Sequence, residues 1–175
     1  EAILLARQNG LSIPIVYNSN AYESVEALNL LDGLVDIYLP DLKYKDDRYA
    51  MRYSDAPEYF LHATAAILEM YRQTGKPIYK EEGIMQKGLI IRHLLLPGLK
   101  EDSKKVLLWI KENLPAEVPV SLMAQYTPMY QALSCKELNR RITKREYEEM
   151  LDYFFEIGLE NGYIQERSSA QSKYT

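Results

Sequence analysis

Polar or charged residues follow, or sit inside, each of four short apolar runs. Asn18, Ser19 and Asn20 come after 13–17, Asp41 and Lys43 after 35–39, Arg92 lies within 89–96, and Gln125 and Tyr126 come after 118–124. In barrels and open parallel sheets chemistry gathers at the C-terminal ends of strands, so four polar ends point to one shared site. Asp41 and Lys43 stand two apart and share a face if the extended chain continues past Pro40. Arg92, between Ile90 and Leu94, keeps its charge at all accessible pH, so on a buried face an anion has to meet it. Asp41 on the neighbouring strand could serve, and so could a substrate carboxylate. The plainer alternative is a structural Arg–Asp pair tying two strands together. Four adjacent polar ends weigh toward the functional reading.

These residues need strands beside one another, and the pattern around them supplies the elements. The four runs are rich in β-branched residues and apolar on both faces, as in a parallel sheet covered on both sides. Helical patterns alternate with them, the mark of repeated βα units. A short helix fits 24–31, closed by Gly33. A second is expected from Asp55, with Pro57 and Glu58 as first-turn signals, to Thr74, where Gly75 and Pro77 end it. Its apolar stripe is Phe60, Ala63, Ile67 and Met70. Ser103 is expected to open a third helix with Val106, Leu107 and Ile110 inward, stopped by Pro115. Thr143 and Glu146 make a capping box for a fourth, which buries Tyr147, Met150, Leu151 and Phe154 and ends at Gly158. A first helix spans 1–8, a short tail element 162–165, and 168–175 is expected to fray.

The fold class is therefore α/β, with about four parallel strands and outer helices. A barrel-like sheet and a doubly wound one both satisfy the right-handed crossover rule. A closed eight-stranded barrel needs about 250 residues, more than the 175 present. The expected architecture is an incomplete (β/α) barrel, with 13–17 as an apolar edge open to pairing.

Composition narrows the function classes. The chain is 47% hydrophobic and 26% charged with a net charge of -4, which suits a globular domain and opposes the basic face that nucleic acid or anionic membranes require. The longest strand-like apolar run is interrupted by Arg92 and His93, far short of the roughly 20 residues of a membrane span. Cys135 is the single cysteine, so no internal disulfide forms and a reducing, cytoplasmic setting is expected. The abrupt start at Glu1, with a helix and no N-cap, reads as a segment of something longer.

The segments Ile15-Val16-Tyr17-Asn18-Ser19-Asn20, Asp36-Ile37-Tyr38-Leu39-Pro40-Asp41-Leu42-Lys43, Ile91-Arg92-His93-Leu94-Leu95-Leu96-Pro97-Gly98 and Met123-Ala124-Gln125-Tyr126 resemble the third to sixth strands of pyruvate formate-lyase activating enzymes and their relatives in the radical S-adenosylmethionine superfamily. They occur in the family's order and cover nearly the whole chain. The resemblance implies a partial (β/α)6 barrel of which residues 1–175 form the C-terminal portion as a single domain. The family's first strand leads to a C-x3-C-x2-C loop that binds a [4Fe–4S] cluster, and its second carries a Gly-Gly-Glu type motif. Neither motif occurs here, so the resemblance assigns the cluster to a longer parent protein and implies that this chain alone is inactive.

Carried over by position, the resemblance implies that Asp41 and Lys43 lie beside the methionine carboxylate of S-adenosylmethionine. Asn18 and Ser19 match an Asp-Thr pair that helps bind a cation in the glycyl-radical activases, and Asn18 lacks the negative charge of that Asp. Arg92 matches the arginine of an Arg-x-x-x-x-Pro-Gly strand near adenosylmethionine or a peptide substrate. Gln125 and Tyr126 stand where the activases carry Tyr-His, and the His is missing. The implied chemistry is one-electron reduction of adenosylmethionine to a 5'-deoxyadenosyl radical that abstracts hydrogen. The implied partners are a protein or small-molecule substrate, a glycyl-radical enzyme among the candidates, and an electron donor such as flavodoxin or ferredoxin.

Two other readings remain. An aldolase-like or lyase barrel would use Lys43 as a Schiff base, which needs a desolvated lysine, whereas Asp41 nearby stabilises its charge. A non-catalytic half-barrel would pair through its open edge as an assembly module. Other signals are weaker: Cys135 reads as an inert loop cysteine, and His62 and His93 lack the spacing of metal ligands. Arg140, Arg141, Lys144 and Arg145 read as a solvated basic face, and no phosphate-binding glycine loop is present. The 15 tyrosines read mostly as core and boundary residues.

Overall fold

The computed structural model describes residues 1–164, a mixed series of helices and strands. Helix α1 (Ala2–Gln8) buries none of its residues. It is followed by β1 (Val16–Ser19), α2 (Val25–Asn29), β2 (Ile37–Pro40), α3 (Asp47–Ser54) and α4 (Tyr59–Thr74). Next come β3 (Ile78–Tyr79), β4 (Met85–Leu89), β5 (Ile91–Leu94), α5 (Lys100–Asn113) and β6 (Val120–Met123). A 3-10 turn (Tyr130–Ser134), α6 (Lys144–Glu156) and β7 (Gly162–Ile164) complete the described chain. Gln165 of the expected tail element and the stretch 168–175 lie outside the described residues.

The α/β class with parallel strands holds. β1 pairs with β2, β2 with β4, β5 with β6, and β6 with β7, each in parallel. Two bonds, Ile90 N to Tyr38 O at 3.0 Å and Leu42 N to Arg92 O at 2.9 Å, carry the pairing of β2 from β4 on to β5. The single strand expected over 89–96 is thus two shorter ones that change partners at Ile90, and it starts earlier, at Met85. Below the change, β4 takes β3 as an antiparallel neighbour. The close approach needs Gly88, where a Cβ would lie 3.1 Å from Pro77 Cα at a φ of +146°. Among the described residues β1 pairs only with β2 and β7 only with β6, so the sheet does not close.

Alternation along the strands gives the sheet two different faces. On one, Tyr38, Leu42, Leu89, Ile91, His93, Val120 and Leu122 are buried under the helices. α4 supplies Ala63, Ala66, Ile67 and Met70 to that core, and α5 supplies Val106, Leu107 and Ile110. Burying an Ile67 or Met70 side chain contributes roughly 1.5–3 kcal/mol before packing is counted. On the other face Ile37 and Met123 are buried, Leu39, Asp41, Ile90, Arg92 and Leu94 are half-buried, and Val16 is 51% exposed. The expectation of two covered faces is therefore met on one face only.

Helix punctuation was partly as expected. Thr143 accepts from Glu146 N and Glu146 accepts from Thr143 N, the full capping box of α6. Ser24 caps α2 through Ala27 N. Asp55 does not open α4: it ends α3 in the left-handed conformation, and α4 begins at Tyr59 behind a left-handed Glu58. Ser103 does not open α5 either, because the helix starts at Lys100 and Ser103 is buried within it. α3 was not expected; of its eight residues Ala50 is buried, and Tyr49 and Tyr53 on the same face pack half-buried against the core. Among the described residues no helix is long and apolar enough to cross a membrane.

Candidate functional site

The half-open face of the sheet carries a charged cluster at the ends of β1 and β2. The parallel register puts Asn18 beside Leu39, and an isolated bridge puts Asp41 beside Arg92. Arg92 Nη1 donates to Asn18 Oδ1 at 2.7 Å. Its Nε lies 3.2 Å from Asp41 Oδ1. That contact is an ion pair rather than a hydrogen bond, because the N–H does not aim at the oxygen, and Asp41 Oδ1 is buried without a hydrogen-bond partner. Lys43 Nζ lies 3.6 Å from Asp41 Oδ2, beyond hydrogen-bond distance. The side chains of Asp41, Arg92 and Lys43 are 17%, 25% and 31% exposed.

Two cations and a carboxylate thus lie together with donor and acceptor capacity unspent. Lys43 has ammonium protons free of strong partners, Arg92 has donors beyond those used, and Asp41 has a desolvated lone pair. An unfilled buried acceptor carries a penalty of about 1–3 kcal/mol, which a ligand donor would relieve. The set is complementary to a zwitterion: a carboxylate for Lys43 and Arg92, and an ammonium or hydroxyl for Asp41.

Ser19 and Gln125 stand apart from this cluster. Ser19 follows Asn18 and so points to the other face, where its Oγ accepts from Ala21 N at 2.9 Å in the turn after β1. Gln125 is exposed two residues past the end of β6, and its Nε2 lies 3.8 Å from Met123 Sδ. Tyr126 donates to Leu138 O at 3.0 Å. Asn18 Oδ1 is thus engaged by the Arg92 guanidinium, and Ser19 Oγ by a backbone N–H on the other face.

Three residues around the cluster act on backbone groups and had no such role in the sequence pattern. His93 Nδ1 lies 2.6 Å from Leu42 O on the covered face. Burial lowers its pKa to about 4, so the ring is neutral and Nδ1 carries the donated proton. Tyr59 Oη meets Asn20 O, Asp41 O and Lys43 N. The buried carboxylate of Asp102, in the first turn of α5, accepts from Lys45 N and Asp46 N at 2.9 Å each. Burial raises the Asp102 pKa, and the two N–H donors oppose that shift.

Elsewhere, a cleft of about 390 Å³ is lined by Arg52, Tyr53, Gln131, Ser134, Cys135 and Leu138. The Cys135 thiol donates to Glu137 Oε2 at 3.1 Å, and Arg52 also pairs with Glu137. The basic run near α6 is largely spent in surface pairs: Arg140 with Glu146, Lys144 with Glu148 and Arg145 with Glu149. Among the described residues no group of three or more His, Cys, Asp or Glu could hold a metal ion.

No known family profile matches the sequence. The chain is similar to an uncharacterized protein of Methanocaldococcus jannaschii, with 36% identity over 142 residues that make up 81% of this chain and 38% of the relative. The match thus spans well under half of that protein's length.

Proposed function

We propose that the chain is the C-terminal portion of a partial (β/α) barrel of the radical S-adenosylmethionine type, resembling pyruvate formate-lyase activating enzyme. In this reading Asn18, Asp41, Lys43 and Arg92 hold the methionine end of adenosylmethionine. The observation that carries the reading is the Asp41 carboxylate, flanked by Arg92 at Oδ1 and Lys43 at Oδ2, with its buried Oδ1 lacking a hydrogen-bond partner. An amino-acid zwitterion answers each unspent group there, with its carboxylate on the two cations and its ammonium toward Asp41. When bound, adenosylmethionine supplies a carbon–sulfur bond whose one-electron cleavage yields a deoxyadenosyl radical. Leu39, Ile90 and Leu94, half-buried on the same face, give the cluster apolar neighbours.

The [4Fe–4S] cluster does not fit this chain. Such clusters take thiolate ligands, and the one cysteine, Cys135, has its thiol on Glu137. The cluster, the electron donor of flavodoxin or ferredoxin type, and the glycyl-radical or small-molecule substrate belong to the longer protein of this proposal. A Schiff-base reading is less well supported, because Lys43 is about a third exposed beside a carboxylate rather than in a dry pocket.

The test uses the complete reading frame that contains this chain. It is expected to encode a C-x3-C-x2-C triad ahead of residue 1. The purified protein, reconstituted anaerobically with iron and sulfide and then reduced, is expected to release 5'-deoxyadenosine from adenosylmethionine. A reading frame without the triad, or a reconstituted protein that releases none, sinks the proposal.

One observation favours a second reading, an assembly module. Val16 is 51% exposed on β1, whose outer edge has no strand partner among the described residues, and Ile13 just before the strand is 68% exposed. Concentration-dependent dimerisation of the chain, abolished by Val16→Lys, would support it. A monomer at all concentrations would remove it.

A further inference from the structure

Past Pro40 the strands no longer supply a partner for every backbone group of β2, yet the chain stays positioned as far as Lys43. Asp41 N donates to Ser19 O on one side and Leu42 N to Arg92 O on the other, each at 2.9 Å. Lys43 N donates to no strand; it donates to Tyr59 Oη at 3.0 Å. The same hydroxyl lies 2.8 Å from Asp41 O and 3.1 Å from Asn20 O. A phenol has one proton and gives it to one carbonyl at a time, and the shorter contact to Asp41 is the better bond. Tyr59 is 2% exposed, with its ring stacked on Tyr22 and edge-on to Tyr44. Burial pushes the phenol far above the usual tyrosine range, so the donated proton is retained.

We propose that Tyr59 is the positioning residue of the strand-end cluster: its hydroxyl stands in for a missing strand at the end of β2 and so holds Asp41 and Lys43 together on the face that carries Arg92. Without the hydroxyl, Lys43 N loses its acceptor and Asp41 O its donor in a dry site, and the chain between them must turn to find others. Asp102 extends the same arrangement by holding Lys45 N and Asp46 N from α5. Two helices thereby fix one loop through side chains alone. The proposal rests on the reading above only for what the placed groups bind, and the placement itself is tested without ligand.

Tyr59→Phe keeps the ring and its stacking and removes the hydroxyl. Tyr22→Phe serves as the control, since it removes a neighbouring hydroxyl that donates to Pro57 O and touches neither Asp41 nor Lys43. Nuclear magnetic resonance of the labelled, ligand-free chain reads Lys43 amide exchange, the Asp41 carboxyl carbon shift, and Leu122 amide exchange as the reporter of global opening. In Tyr59→Phe, Lys43 is expected to exchange roughly tenfold faster, the equivalent of one lost hydrogen bond, and the Asp41 resonance to move. Leu122 is expected to change far less, and Tyr22→Phe to leave Lys43 and Asp41 as they are. Lys43 exchange within about twofold of the wild type, an equal acceleration at Leu122, an equal response to Tyr22→Phe, or a Tyr59→Phe chain that does not fold would each overturn the positioning role. A failure of adenosylmethionine to bind alters none of these readouts, so the two proposals fail separately.

Discussion

His93 Nδ1 lies 2.6 Å from the carbonyl oxygen of Leu42, on the face of the sheet opposite the one where Arg92 meets Asp41. Two neighbours on β5 therefore grip two neighbours at the end of β2 from opposite sides. The His93 ring is fully buried and neutral, with Nδ1–H donating and Nε2 left as a buried acceptor without a partner.

This geometry sets a pH dependence. The unfolded histidine takes up a proton near pH 6.5, whereas burial holds the folded pKa at about 4. As pH falls through that window the unfolded state binds more protons, so stability is lost on acidification, by up to about 3 kcal/mol. His93→Asn keeps a donor near Leu42 O and removes the titration. Urea unfolding at about pH 7 and about pH 4.5 is expected to show a wild-type loss that the variant largely lacks. Equal losses in the two proteins would show that His93 does not govern this window.

The Asp41–Arg92 pair is expected to be coupled. Both side chains are largely buried, so removing one strands the charge of the other. Arg92→Leu and Asp41→Asn are each expected to cost about 1–3 kcal/mol, and the double variant less than their sum by about 1 kcal/mol. A coupling energy near zero in a denaturation cycle would mean that the pair is screened like any surface pair.

Glu146 closes the capping box and also accepts from Arg140 and from Gly98 N, joining α6 to the turn after β5. Glu146→Ala is expected to cost about 1–2 kcal/mol near neutral pH. The hydrogen bond from Arg140 holds the carboxyl well below the usual glutamate range, burial opposing it. A lowered folded pKa means stability that is present above the unfolded value of about 4.3 and lost as pH falls below it. The penalty of the substitution should therefore shrink on acidification, and a penalty constant with pH would count against this role.

The Thr143 and Glu146 cap was legible in the sequence because both partners are side chains at a fixed spacing. The strand-end polar residues were legible too, since a charge set against an apolar run stands out. Asp55 and Pro57 misled because the same residue types end one helix as readily as they begin another, and the face of α3 before them is made of only Tyr49, Ala50 and Tyr53, too short a pattern to stand out. The parts played by Tyr59, Asp102 and His93 were hidden for another reason. Their partners are backbone groups from distant segments, which a sequence does not display.

Release of 5'-deoxyadenosine by the complete protein, reconstituted and reduced, bears most directly on the account when it is compared across variants of the cluster. Wild type is expected to turn over, and Lys43→Ala, Asp41→Asn and Arg92→Leu to lose roughly tenfold or more with the absorbance of the iron–sulfur cluster unchanged. Turnover that survives all three substitutions would contradict the assignment of adenosylmethionine to these strand ends.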